Sequence, residues 1–278
     1  MDLNPHAAIQ SHYATLSGVM RKIADYVLED MERIQDLSIQ QLAGRLDIAE
    51  SSVFRFCRLL GFSGYSEFKI KLAKYSATYA NSIYDRLDGE DSVEAITRQV
   101  FSMYQEVLNK ALESLDFDSL DRAAKQLREA KRIVVCSIGL SASIADNFAA
   151  HLLRIGFPVQ SITDSELMQF QARQSGPGTL FIAISKTGNE IALVNACRLA
   201  RESRAQTAAL VCYPNTPIEA FCDVCIRHYY PTQALLTTRF VQETLLDCLV
   251  IIATSDRPQE VMDILTTNLA AEKVLHVQ

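Results

Sequence analysis

Residues Thr179 to Ser203, TLFIAISKTGNEIALVNACRLARES, constrain this chain more than any other stretch. Leu180, Phe181, Ile182, Ala183 and Ile184 form an unbroken apolar run, with Gly178 before it and Ser185-Lys186-Thr187-Gly188 after it. A run of that length with β-branched and aromatic members suits a strand buried on both faces, and such strands belong to parallel sheets covered by helices. Beyond the loop, Ile191, Val194, Leu199 and the alanines between them recur at helical spacing. The loop therefore stands where a strand's carboxyl end meets a helix's amino end. Free backbone N–H groups and a positive partial charge gather there, so anions bind there. Ser185 and Thr187 add hydroxyl donors, and Gly188 lets the backbone approach a ligand closely. Two readings stay open: a pocket for a small, phosphorylated ligand, or an ordinary βα loop capped by polar residues.

The surrounding sequence repeats the alternation. Strands are predicted over 133–136, 157–162, 180–184, 207–212 and 224–228, with helices over 142–155, 165–174 and 235–254 between and after them. This order implies a doubly wound, parallel, five-stranded sheet with helices on both faces. Ligands of such sheets bind beyond the carboxyl ends of the strands, where the strand order reverses. The loops Ser137–Ser141 and Ser185–Glu190 follow strands one and three, so both can border one crevice. Neither carries the six-residue dinucleotide fingerprint, and no cofactor is expected.

The first quarter of the chain reads differently. Residues 1–15 are polar and read as a loose lead-in, and Leu16–Asp30 as a helix. Ser38 suits an N-cap for 39–46, with Gln41 at the capping-box position. After Asp47-Ile48-Ala49-Glu50 a second short helix runs from about Ser51 to Leu60, with Val53, Phe56, Leu59 and Leu60 inward and Gly61 as its terminator. Two short helices joined so closely form a helix-turn-helix. The second helix leaves Ser51, Ser52, Phe54, Arg55 and Arg58 outward, where hydroxyls and guanidinium groups meet base edges and phosphates. Lys69, Lys71 and Lys74 follow on the next helix and would add phosphate contacts. The organisation expected is therefore an all-α helix-turn-helix domain over 1–77, a polar linker over 78–92 and an α/β domain over 93–278. The linker leads into a long helix over 93–115 and another over 117–130, capped by Asp118 or Ser119.

Charge supports this division. Residues 1–80 hold nine of the 27 Lys and Arg and nine of the 33 Asp and Glu, so the whole net charge of −6 belongs to the rest. Within that neutral part, Glu50 to Lys74 holds Arg55, Arg58, Lys69, Lys71 and Lys74 against Glu50 and Glu67, and such a basic patch on an acidic chain points to a polyanion partner for that segment alone. Seven irregularly spaced cysteines do not form a disulfide framework, and no leader or membrane-length apolar run appears, which points to the cytoplasm. Cys222-Asp223-Val224-Cys225 has the spacing of half a zinc site, but without a second pair it reads as thiols buried in a strand, and no metal is expected.

The stretch IADYVLEDMERIQDLSIQQLAGRLDIAESSVFRFCRLLGFSGYSEFKIKLA resembles the amino-terminal domain of the RpiR family of bacterial transcription regulators, most specifically in SSVFRFCRLLGFSGYSEFK. Ala49 departs from it, standing where the family usually places a capping serine. SIGLSASIADNFAAHLLRIGFPV, FIAISKTGNEIALVNACRLARE and TTRFVQETLLD resemble the SIS (sugar isomerase) domain, the usual second domain of that family, with Arg239 and Asp247 at recurrent positions. The resemblance implies sugar-phosphate binding. Gly139 and Ser141 would then face the sugar, Ser185, Thr187 and the amides near Gly188 would hold phosphate, and Asp164 would open a loop near the ligand. The family's phosphate loop runs Ser-x-Ser/Thr-Gly-x-Thr, and here Glu190 takes the last position. A carboxylate there suits the helix dipole but repels a phosphate, unless it turns away or accepts a sugar hydroxyl or amine.

The leading reading is a ligand-responsive regulator that binds a double-stranded operator as a homodimer or tetramer and senses a sugar phosphate or amino sugar, with no membrane partner. The alternative is a sugar-phosphate isomerase with a helical appendage, for which Glu166, Glu190, His228 and Glu243 are the candidate general bases. A purely architectural DNA-binding protein is disfavoured, because more than half of the chain is a pocket-bearing α/β domain.

Overall fold

The computed structural model describes residues 5–16, 18–29, 31, 34, 36–80, 92–228 and 238–272. The amino-terminal region is helical: α1 (Pro5–His12), α2 (Gly18–Glu29), α3 (Ile39–Arg45), α4 (Glu50–Leu59) and α5 (Tyr65–Ala80). The lead-in expected to be loose is in fact α1, because Ile9 is fully buried against the same core as Ile23, Val27, Leu42 and Leu72. Burying one such aliphatic side chain contributes about 1.5–3 kcal/mol, which helps to hold α1 on this core. At the centre, Phe68 meets Phe56 and Phe62 edge-on, with ring centroids 6.1 and 5.3 Å apart.

The helix-turn-helix is built from local signals. Ser38 Oγ accepts the Gln41 N–H at 3.1 Å and Gln41 Oε1 accepts the Ser38 N–H at 2.8 Å, so the capping box predicted for α3 is complete. The turn closes with the Ile48 N–H on the Ala43 carbonyl at 3.0 Å. Ala49 then caps α4 with backbone alone. Gly61 ends α4 at φ +91°, which lets the Phe62 N–H reach back to the Cys57 carbonyl at 3.0 Å. The inward stripe is Ser52, Val53, Phe56, Cys57 and Leu60. Two expectations are thereby corrected. Ser52 faces the core, because it lies one turn before Phe56 on that stripe, and Leu59, one turn after Arg55, faces out at 47% exposure.

Of the expected linker, 81–91 lie outside the described residues; α5 runs past 77 to Ala80, and Ser92 caps α6 (Val93–Glu113). Next comes α7 (Phe117–Glu129), capped by Asp116 rather than by Asp118 or Ser119: its carboxylate accepts both of their N–H groups. The α/β part continues with β1 (Arg132–Cys136), α8 (Ala142–Arg154), β2 (Val159–Ile162), α9 (Ser165–Gln174), β3 (Thr179–Ile184), α10 (Ile191–Glu202), β4 (Gln206–Val211), β5 (Val224–Arg227), α11 (Thr238–Thr254) and α12 (Pro258–Glu272).

The five strands are all parallel, in the order β2-β1-β3-β4-β5. Every residue of β3, the middle strand, is buried, because helices cover both faces. Alternation along the strands divides the core. Ile133, Val135, Leu180, Ile182 and Leu210 pack with residues of α6, α7, α8 and α11. Val134, Phe181, Ala183, Ala209 and Val211 pack with α9, α10 and the short 3-10 turn Pro217–Phe221. Helix α12 was not anticipated; it docks on the end of α8, where Asn268 Nδ2 donates to the Arg154 carbonyl at 2.7 Å. Cys222 and Cys225 are free thiols and only partly buried. Among the described residues no group of three or more His, Cys, Asp and Glu side chains is arranged for a metal ion, and no helix is long and apolar enough to cross a membrane.

Candidate functional site

The strand order reverses between β1 and β3, so the crevice of this sheet lies between the loops that leave those two strands. Both loops named in the sequence stand there, and they are tied together. Ser137, fully buried, donates through Oγ to the Ile184 carbonyl at 2.7 Å. The first loop then makes a single 3-10 turn, Gly139–Ser141, which leaves Gly139 exposed and Ser141 half-buried at the start of α8. Asp164 leaves the edge strand β2 on the same side of the sheet. Its carboxylate is engaged as the cap of α9, accepting the Glu166 and Leu167 N–H groups at 2.9 and 2.8 Å.

The second loop is closed on itself. Ser185 Oγ accepts the N–H groups of Thr187 at 3.1 Å and Gly188 at 2.7 Å, and donates to Glu190 Oε2 at 2.6 Å. Thr187 Oγ1 lies 2.8 Å from Glu190 Oε1 and 2.6 Å from Asn189 Oδ1; its one proton serves either oxygen. Thus Ser185, Thr187, Gly188 and Glu190 do converge, but on one another. Gly188 adopts φ +65°, and a Cβ there would lie 2.6 Å from Thr216 Oγ1. The close approach that demands glycine is therefore made by the chain's own Thr216, with the Ile218 N–H closing on the Gly188 carbonyl at 3.1 Å.

Several supporting residues escaped the sequence reading. Gln242, buried on α11, donates through Nε2 to the Ser185 carbonyl at 3.3 Å. Arg239 and Asp247, the positions singled out on α11, are exposed and pair with Glu243 at 3.7 Å and His151 at 3.6 Å. His6 of α1 reaches this edge of the sheet: its ring meets that of Tyr213, just after β4, with centroids 6.3 Å apart and planes at 63°. Burial first, and then the Lys186 charge, lower its pKa from 6.5 to about 4. Nothing in the sequence signals a contact between residues so far apart.

The candidate general bases do not form a catalytic group. Glu166 is exposed in the first turn of α9, on one face of the sheet, and Glu243 is paired with Arg239 on α11, on the other. His228 is buried, with Nε2 3.3 Å from Cys212 Sγ, and burial raises the pKa of that thiol. Glu190 is held by two hydroxyls.

On the helix-turn-helix, α4 presents Ser51, Phe54, Arg55, Arg58 and Leu59 to solvent. Ser52, 7% exposed, lies at the inner edge, where its hydroxyl accepts from Arg55 Nη2 at 3.4 Å. Lys69 does not project freely: its Nζ donates to the Leu37 carbonyl at 2.9 Å. The Lys74 side chain lies outside the described residues.

Residues 3–79 match the family model described as "Helix-turn-helix domain, rpiR family", and residues 126–257 match the SIS domain model. The HTH-type transcriptional regulator HexR of Pseudomonas aeruginosa is 33% identical over 245 residues, which cover 87% of this chain and 86% of HexR. The chain belongs to the RpiR family of transcriptional regulators. HexR of Escherichia coli is 29% identical over 251 residues, covering 89% of this RpiR-family chain and 86% of that protein. The solved structure of the Vibrio vulnificus NanR protein complexed with ManNAc-6P aligns with a TM-score of 0.65 at 23% identity, over 99% of this regulator and 100% of NanR. The helix-turn-helix followed by a five-stranded SIS sheet is thus the architecture of an RpiR-family regulator.

Proposed function

We propose that this regulator binds an operator through α4 and senses a sugar phosphate, or a related amino sugar, at the β1/β3 crevice. The observation that carries the reading is the pair of donor-bearing loops at the switch point, joined by the Ser137 to Ile184 hydrogen bond, in a chain whose other end is a helix-turn-helix. Ser141 on the first loop and Ser185 and Thr187 on the second supply hydroxyls, and the amino end of α10 supplies partial positive charge for an anionic group. NanR was solved with a sugar phosphate bound, which supports that effector class for a protein of this architecture. On DNA we read Ser51, Arg55 and Arg58 as the contacting residues. A dimer would place two such helices on half-sites one helical turn, or a multiple, apart. The expected partition is residues 1–77 for DNA and 93–278 for effector and self-association, in the cytoplasm.

Effector shifts DNA affinity only if it binds one arrangement of the protein better than the other. A thermal-shift screen of sugar phosphates and amino sugars, followed by mobility shifts with each hit, tests this. A true effector raises the melting temperature and changes operator affinity. A ligand that stabilises the protein and leaves operator affinity unchanged would defeat the sensor reading. Turnover of an aldose phosphate by the pure protein would instead favour the isomerase.

A further inference from the structure

Glu190 sits at the N-cap position of α10, yet its side chain caps no backbone N–H. The carboxylate folds back across the loop, where one oxygen takes the Ser185 hydroxyl proton at 2.6 Å and the other lies 2.8 Å from the Thr187 hydroxyl. Hydroxyl-to-carboxylate bonds of this length are charge-assisted and stronger than neutral ones. Ser185 is 2% exposed and its own acceptor capacity is filled by the Thr187 and Gly188 amides. The anion cradle thus already holds an anion, contributed by the chain itself. An ordinary capping role does not account for this, because a cap would bond the free N–H groups of the first turn.

We propose that Glu190 is a resident counter-ligand: its carboxylate fills the cradle in the effector-free regulator, and an effector's phosphate gains the Ser185 and Thr187 hydroxyls only by displacing it. This rests on reading the crevice as a sugar-phosphate site, and it adds a rule of selection. A bare anion must break the charge-assisted Ser185–Glu190 bond, take the Thr187 hydroxyl from its present acceptors and stand beside the evicted carboxylate, so inorganic phosphate binds poorly. A phosphate ester succeeds when its sugar makes enough further contact with the Ser137–Ser141 side to offset that cost. Glu190 thereby sets a threshold that separates the effector from the phosphate present around it.

Isothermal titration of the full-length regulator and its E190A and E190Q variants tests the proposal, with inorganic phosphate, glucose 6-phosphate and glucosamine as probes. E190Q keeps the size and removes the charge, so it reports even if the smaller side chain disturbs the loop. Inorganic phosphate and glucose 6-phosphate are expected to bind at least about tenfold more tightly to both variants, with glucosamine unchanged, a gain of roughly 1.4 kcal/mol or more. Equal or weaker phosphate binding by both variants, when wild type binds glucose 6-phosphate, overturns the counter-ligand and leaves the sugar-phosphate site standing. Tight inorganic phosphate binding by the variants, with no phosphate ester bound by any of the three proteins, keeps the counter-ligand and removes the sugar-phosphate reading. If no protein binds either phosphate, both fall.

Discussion

The Ser137 hydroxyl donates to the Ile184 carbonyl at 2.7 Å across the β1/β3 boundary. It joins the end of the middle strand to the first residue after its neighbour, and so fixes the two crevice loops relative to each other. Both groups are fully buried. Ser137→Ala leaves a carbonyl without that donor, at an expected cost of about 1–3 kcal/mol. Urea denaturation measures the loss. The same variant is expected to weaken effector binding, because the loops are no longer held in register. A change in stability with no change in affinity would mean that the tie serves the sheet alone.

How much of this was legible in the sequence follows from the range of the forces involved. Ser38 with Gln41, Gly61, and the buried run 180–184 are local signals, and each appears in the structure where the sequence put it. The β-α alternation located the crevice, because connection rules convert strand order into a switch point. Orientation within an element was less secure. Ser52 and Leu59 exchanged the faces expected of them, since a helical stripe a little over 100° wide leaves its edge positions to be settled by tertiary neighbours. Contacts between distant residues were not legible at all. Gln242 on Ser185, Thr216 beneath Gly188, and His6 on Tyr213 depend on how whole elements dock. The Glu190 substitution was visible as an anomaly in a phosphate loop; that its carboxylate turns inward was a matter of geometry.

His6 gives a pH-dependent prediction. Its pKa is lowered from 6.5 to about 4 by burial and by Lys186, so the folded protein holds it neutral where the unfolded chain protonates it. The unfolded state therefore binds more protons between those values, and stability falls as pH drops through them. The contribution is fully present above pH 6.5 and is lost towards pH 4. Replacing His6 with Phe keeps a ring against Tyr213 and removes the titration. The stability difference between wild type and H6F is expected to shift by on the order of 1 to 2 kcal/mol between pH 7.5 and pH 5. Denaturant titrations at the two pH values check it. Parallel slopes would show that His6 is already exposed to protonation.

Ala49 precedes α4 with extended backbone, φ −74° and ψ 143°, and no side-chain bond to the helix. That backbone is the conformation a capping serine adopts, so Ala49→Ser needs no rearrangement. The expected gain is about 1 kcal/mol. The variant should melt at a higher temperature and protect the amides at the start of α4 from exchange. Unchanged exchange at those amides would show that Glu50 or Ser51 already satisfies them.

The residues proposed to contact DNA divide by what already holds them. Arg55 and Arg58 are exposed on α4, whereas the Lys69 ammonium is bonded to the Leu37 carbonyl just before the N-cap of α3. Removing the Arg55 side chain is expected to weaken operator binding by about 1–3 kcal/mol and to relax sequence preference at one base pair. Lys69→Ala is expected to act through folding instead, lowering stability by roughly 1 kcal/mol while the salt dependence of DNA binding keeps its slope. Mobility shifts with wild-type and single-substituted operators, run at two salt concentrations beside a thermal melt, separate the two. If K69A reduces the salt slope by about one unit and leaves the melt unchanged, Lys69 contacts a phosphate and the bond to Leu37 gives way on DNA.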